Sequence, residues 1–421
     1  MKKLLFLTAV VSLLFSCNND DDSSTPSLPC LVSSTVTLET QAQVDAFAAS
    51  NYCSVNGDLV IGSYYDQTNI TDISGLENIT DVSGALIIRG NSSLTSLEGL
   101  HNLKYAKSIE ITSNSITDLE GLRLLESVND PHGYLIVKDN PALKNVNGLE
   151  KMTKIAWLQL NNNANLESLS GLKNLSQADN VDIRNCVKLT SLEGLNNANI
   201  GGSLYIENNA ALTSVAALTN VTTIDGFVLN GNSSLTSLDG LKISTVKYLA
   251  INNNANLASI QGLNNLTGSV DELVVSENDK LTSLNGLQGV TTIKKLSIEN
   301  NDALASLQGL QNLQTANRID ILHNSALTTI VQLSSLTQIN TAPNFEYQAG
   351  LHVSGNDSLT SLNGLQNINP YQGELYVTYN ASLQDLCAIS ALTAIGSGVY
   401  IYLEYNLNNV TVADINAGNC N

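Results

Sequence analysis

Leu281-Thr282-Ser283-Leu284-Asn285-Gly286-Leu287 decides the fold, because the chain keeps repeating it. Near-copies begin at Ile70, Leu94, Ile116, Leu143, Leu166, Leu189, Leu212, Leu235, Leu257, Leu304, Leu327, Leu359 and Leu383, which makes fourteen, most of them 22 to 24 residues after the one before. A unit of about 23 residues cannot bury an apolar face by itself but can bury it against a neighbour, which is the pattern of a solenoid. In each copy three apolar side chains are expected to point inward. The Thr and Ser face out or bond to backbone, and the Gly supplies a turn with positive φ.

A second motif lies upstream and reads apolar-x-apolar-x-x-Asn-x-x-Leu. Examples are Leu158 and Leu160 before Asn163, Leu204 and Ile206 before Asn209, and Leu296 and Ile298 before Asn301. The period of two predicts a short strand with one buried face. Stacked at about 4.8 Å per coil, such strands make a parallel sheet, and fourteen coils make a rod on the order of 65 Å long. The Asn recurs at 91, 114, 140, 163, 209, 232, 254, 278, 301, 324, 356, 380 and 406. Backbone groups at a corner point away from water, and an unpaired one there costs free energy. An amide carries donor and acceptor together, so a stack of Asn can satisfy those groups in its own coil and the next. In the fifth coil Cys186 holds the position and reads as a buried free thiol in the ladder. A shorter apolar segment, as in Asn220-Val221-Thr222-Thr223-Ile224, closes a roughly triangular coil around a dry aliphatic interior. The predicted fold class is mainly β, a parallel β-solenoid of about fourteen coils.

Lys2 and Lys3 precede an apolar run over 4–15, too short to span a bilayer and suited to the h-region of an export signal. The run ends at Leu14-Phe15-Ser16-Cys17, which resembles the lipobox of bacterial lipoproteins, although Phe15 is unusual at its position. The resemblance implies a signal peptide over 1–16 and a lipidated Cys17. Residues 17–29 are acidic, then rich in Ser, Thr and Pro, the composition of a solvated tether. An acidic run straight after the lipidated Cys is similar to the surface-export signal of Bacteroidetes lipoproteins. That implies an outer-membrane protein displayed outside the cell, the other placement being the periplasmic face. In such an oxidising setting, Cys30 and Cys53 flank the first turn of the fold, and Cys387 and Cys420 the last. Pairing within each end would staple the two coils that lack a neighbour on one side.

The stretch 47–61, Phe-Ala-Ala-Ser-Asn-Tyr-Cys-Ser-Val-Asn-Gly-Asp-Leu-Val-Ile, resembles the opening of a receptor L-domain, a leucine-rich-repeat relative built as a right-handed parallel β-helix. In that family a short helix, a disulfide Cys and a Gly lead into the first strand. Thr40 and Gln43 give the helix a capping-box start here, with Val44, Phe47 and Ala48 on one face. The resemblance covers 30–421, with an N-terminal cap over 30–61 and a C-terminal cap over 383–421. Fourteen coils exceed one such domain, so the body is one long solenoid or two fused without a break. The absence of a linker favours one. The resemblance implies protein binding or a cell-wall or surface role, and carries over no ligand-contacting residue.

A formal charge of −19 repels nucleic acid and anionic lipid, so neither is an expected partner. Such acidity also keeps a long, Leu-rich object in solution. His101, His132, His323 and His352 show no metal spacing, and no Ser/His/Asp set converges by register. No cofactor and no enzymatic activity are expected. Asp182 and Arg184 share a strand, with Lys138 two coils away in the Arg184 column. A polysaccharide lyase would need clustered, calcium-holding carboxylates beside such a base; a solvated sheet face accounts for these charges instead.

Binding surfaces are more promising. Tyr376 and Tyr402 fall in one column of adjacent coils, Tyr379 and Tyr405 in another, with Tyr400 and Tyr371 nearby. Tyrosines in register offer rigid, flat area with a polar handle, suited to sugars or protein hot spots; they would equally shield the open strand edge of the last coil. Two insertions precede strands, at 129–132 and 341–349. The longer holds Phe345 and Tyr347, a candidate recognition loop or a tolerated excursion. Tyr134, Trp157 and Tyr248 read as core-edge packing. The expected function is a lipid-anchored cell-surface module that binds or adheres to a protein or glycan partner and meets the membrane through its lipid alone. The alternatives are a structural envelope protein without a discrete ligand and, third, a carbohydrate-active enzyme.

Overall fold

Alternation sends Leu204 and Ile206 of Ser203–Glu207 into the interior and leaves Tyr205 and Glu207 on the outer side. The computed structural model describes residues 30–128, 132–339, 349–369, 371, 373–393 and 399–421. Cys17, Phe345 and Tyr347 lie outside the described residues. Each strand pairs in parallel with its successor: Leu204 with Phe227 and Ile206 with Leu229, then Phe227 with Leu249 and Leu229 with Ile251. Continued from Leu31–Val32 to Val399–Glu404, this pairing joins 21 strands into one sheet among the described residues. The fold is a parallel β-solenoid of about 15 turns of roughly 23 residues.

Each turn fills the same cross-section with the same aliphatic set. In one coil Leu204, Ile206, Leu212, Val215, Leu218, Val221 and Ile224 are all at most 1% exposed. The wall built by the Leu-Thr-Ser-Leu motif is not a sheet: isolated bridges such as Ser191 to Ser214 link its coils, and short 3-10 turns such as Gln261–Leu263 interrupt it. Thr223 and Ile224 of the shorter apolar segment open the strand Thr223–Asn230 and pair with Thr245 and Val246.

Glycine in the repeat does two jobs. Gly286 has the expected positive φ of 122°, but Gly262 does not. A Cβ on Gly262 would lie 1.7 Å from the carbonyl oxygen of Leu238 in the preceding coil, so there it is close approach that demands glycine. The regular left-handed position is one residue before the ladder: Asp139, Asn162, Asn185, Asn208, Asn253, Glu277 and Asn300 hold φ between 52° and 57°.

The asparagine ladder closes the corner. Asn278 donates its backbone N–H to Oδ1 of Asn301 at 3.2 Å and its Nδ2 to the carbonyls of Ile251 and Ser276 at 2.8 and 2.9 Å. Its own Oδ1 accepts from the backbone N–H of Asn254 at 3.1 Å. One amide thus satisfies groups in two coils and is satisfied by the third. Cys186 keeps only part of this. Its N–H reaches Asn209 Oδ1 at 2.9 Å and its Sγ the carbonyl of Leu160 at 3.1 Å. Burial pushes the free thiol up to about 12.

The ends are closed. Disulfides join Cys30 to Cys53 and Cys387 to Cys420. The helix Gln41–Ala49 starts at a reciprocal Thr40–Gln43 capping box and buries Val44, with Phe47 and Ala48 against the core. A second capped helix, Val412–Asn416, buries Ile415 at the far end. Among the described residues no helix is long and apolar enough to cross a membrane.

Candidate functional site

The outward side chains of successive strands form columns about 4.8 Å apart per step. Parallel register places Asp320, His352, Tyr376 and Tyr402 in one such column. Arg318, Gly350, Glu374 and Tyr400 form the column beside it. The last four coils therefore carry a graded strip, charged first and then aromatic.

The aromatic half is a stack. The ring centroids of Tyr376 and Tyr402 are 4.4 Å apart at 11°, and those of Tyr379 and Tyr405 are 4.6 Å apart at 11°. Tyr379 and Tyr405 project because each holds the left-handed position before a ladder Asn, with φ of 56° and 59°. Tyr400, Tyr402, Tyr379 and Tyr405 are 65%, 42%, 57% and 60% exposed; Tyr376 is half-buried between Tyr402 and the His352 ring, 4.5 Å away. Tyr371 does not join them. It is 3% exposed, accepts from the Leu351 N–H at 3.1 Å and donates to the Glu374 carbonyl. Burial raises its phenol above the usual range, and it is a core residue that anchors the strand start.

The charged half fixes the floor beneath the stack. Arg318 Nε donates to Asp320 Oδ2 at 2.8 Å, and Arg318 Nη2 lies 3.1 Å from His352 Nδ1. A guanidinium only donates, so Nδ1 accepts and the imidazole proton sits on Nε2, 3.6 Å from Glu374 Oε2. Burial and the Arg318 charge hold His352 below its ordinary value of 6.5, against the pull of Asp320 and Glu374. The sequence pattern brings together no Ser/His/Asp set by register and does not by itself show this convergence of Arg318, Asp320, His352 and Glu374. A signal existed: Asp320, His352, Tyr376 and Tyr402 each lie four residues before a ladder Asn.

Two other readings are corrected. Trp157 and Tyr248 are 45% and 38% exposed and Tyr134 is half-buried, so the three are outward-facing residues of the sheet, six positions before a ladder Asn, rather than core edge. Asp182 is not solvated but 4% exposed, with Arg184 Nε at 2.5 Å and Glu207 Oε1 3.2 Å from Arg184 Nη1. Arg184 also lies 4.8 Å over the Tyr205 ring. The guanidinium is clamped between carboxylates and is a structural tie along the sheet. Lys138 sits in the Arg184 column as expected, with Asn161 between them. Among the described residues no cluster of His, Cys, Asp or Glu is disposed to hold a metal.

Fold and repeat together define a leucine-rich-repeat-like parallel β-solenoid. Among solved structures, an internalin from Listeria monocytogenes is similar at 16% identity over 88% of this chain and 86% of that one, with a TM-score of 0.38. The TLR13–ssRNA13 complex is similar at 14% identity over 89% of this chain and 79% of that one, with a TM-score of 0.19. Likenesses this distant say nothing of function. No family model and no curated protein matches the chain.

Proposed function

We propose that the chain is a lipid-anchored, cell-surface binding module that engages a protein or polysaccharide through the C-terminal end of its sheet face. The paired tyrosine stacks, Tyr376 on Tyr402 and Tyr379 on Tyr405, carry this reading. Stacking holds the rings in place before a partner arrives, so little rotamer freedom remains to be lost on binding. The exposed phenols offer apolar faces to a sugar ring or an apolar side chain and hydroxyls to its polar rim. Half-buried His352, held by buried Asp320 and half-buried Glu374, supports the stack from one side. The basic start, apolar run and Cys17 support the address.

The double variant Tyr376→Ala, Tyr402→Ala tests the site. Binding to a glycan array or to partner cells should disappear while the melting curve of the full chain stays nearly unchanged. Loss of fold together with binding would assign the tyrosines to shielding the last strand edge, and retained binding would place the contact elsewhere. Protease shaving of intact cells tests the address, since a surface protein is cut and a periplasmic one is spared.

A further inference from the structure

The opposite end of the sheet face carries a site of different construction. Gly62 pairs with Arg89, yet the chain runs from 62 to 70 before its first repeat residue, where the next coil runs only from 89 to 94. Three extra residues therefore stand at the first corner. They lift Tyr64 and Tyr65 off the coil, 69% and 95% exposed, above the outer columns of the following strands. Beneath them lies a cavity of about 510 Å³ whose floor is built by Arg89, Glu110, Ile136, Lys138 and Gln159 of successive coils. That volume lies within the range of small-ligand sites, roughly 300–1,000 Å³. Glycine lets the corner loop come close: Gly90 holds φ of 66°, and a Cβ on it would stand 2.6 Å from the Ser63 carbonyl oxygen.

Arg89 is the odd member of its kind. Of the four arginines in the chain, Arg123, Arg184 and Arg318 each hold a carboxylate within 3.0 Å. Arg89 has no such partner among the described residues, and its Nε and Nη1 are buried without any hydrogen-bond acceptor. The Tyr64 ring covers one face, 3.2 Å from the guanidinium carbon. Cation–π contact satisfies the charge in part but leaves the in-plane N–H groups unmet. Because Tyr64 is mostly exposed, little buried area holds it there, and swinging it aside opens those donors to the cavity.

We infer that this corner cavity binds a saccharide bearing a single carboxylate, with the acid on Arg89 and the sugar ring against Tyr64 and Tyr65. Arg89 supplies the positive charge that no carboxylate holds, with Lys138, 3.7 Å from Asp139, beside it. Asp66, Glu110, Gln67 and Gln159 accept or exchange hydrogen bonds with hydroxyls, and the tyrosine faces take the ring's apolar side. One negative charge suits the site better than many. Three carboxylates share the lining, and a net charge of −19 opposes a polyanion.

Calorimetric titration of the full chain tests this with three matched disaccharides: one ending in glucuronate, its methyl ester and the corresponding neutral glucoside. The acid should bind, the ester and glucoside at least tenfold more weakly. Arg89→Gln and Tyr65→Ala should each weaken the acid at least tenfold without changing the circular-dichroism melt. Tyr402→Ala, at the other end, should leave it untouched, so this site and the tyrosine stack succeed or fail separately. Equal affinity for all three sugars, no binding at millimolar acid, or an unaltered affinity in Arg89→Gln would overturn the assignment. Should Arg89→Gln fail to fold, Lys138→Gln reads the same cavity, and an unchanged affinity there would overturn it too.

Discussion

Along Gly373–Thr378, neighbouring side chains belong to different regimes. Leu375 and Val377 are wholly buried, and the Leu375 column holds only Leu, Ile, Val or Phe back through Phe227 and Val181 to Leu59. Tyr376, between them, belongs to a column that passes through Ile136, Gln159, Asp182, Tyr205 and His352 with no fixed chemistry. The inner face meets the same demand at every coil: fill a dry cross-section and pair the backbone groups it encloses. The outer face meets no common demand, so residue choice there reports what a given coil does. Its two ends are the places where that choice turns distinctive.

The contrast can be broken from the inside. Leu284→Ala, at a position with no exposure, should cost about 2–5 kcal/mol in a denaturant titration, because the coils above and below prevent collapse around the hole. Asn278→Leu removes a ladder amide and strands the carbonyls of Ile251 and Ser276, for a loss of about 1–3 kcal/mol. A neutral result would place the ladder in contact with water. On the outer face, His352 is held below 6.5 in the folded chain, so unfolding takes up a proton as pH falls through that range. Stability should therefore decline as pH drops from about 6.5 toward the folded value, and His352→Gln should flatten that part of the pH–stability curve. The smallest change belongs to Tyr379→Ala with Tyr405→Ala, whose side chains are more than half exposed. Their thermal melt should overlay the parent's.

Much of the scaffold was legible because each coil restates it. The strands, the Asn positions, the thiol of Cys186 and the capping box at Thr40 follow from periodicity and from hydrogen-bonding needs that are local to one or two coils, and the cysteine pairs from an oxidising setting and their places at the two ends. The tyrosine columns were legible for the same reason. Reading failed where a contact crossed an irregular interval. From Asn324 to Asn356 the spacing stretches to 32 residues, and this hides that His352 lies beside Asp320. Ring size suggests burial for Trp157 and Tyr248, whereas their parity in the strand faces them outward. The corner loop at 63–67 leaves no mark on the repeat, since its three extra residues precede the first copy of the motif and so break no interval.

The chain alone determined the winding: a 23-residue period, an aliphatic interior and an amide at each corner can be met only by stacking like upon like, and nearest neighbours suffice to state the rule. Tertiary structure alone decided which outer groups meet. Whether Arg318 finds Asp320 and His352, or Arg89 finds the Tyr64 ring and no carboxylate among the described residues, depends on side-chain directions between coils and on how far each corner loop reaches. Those distances are set in space, where residues a full turn apart lie side by side.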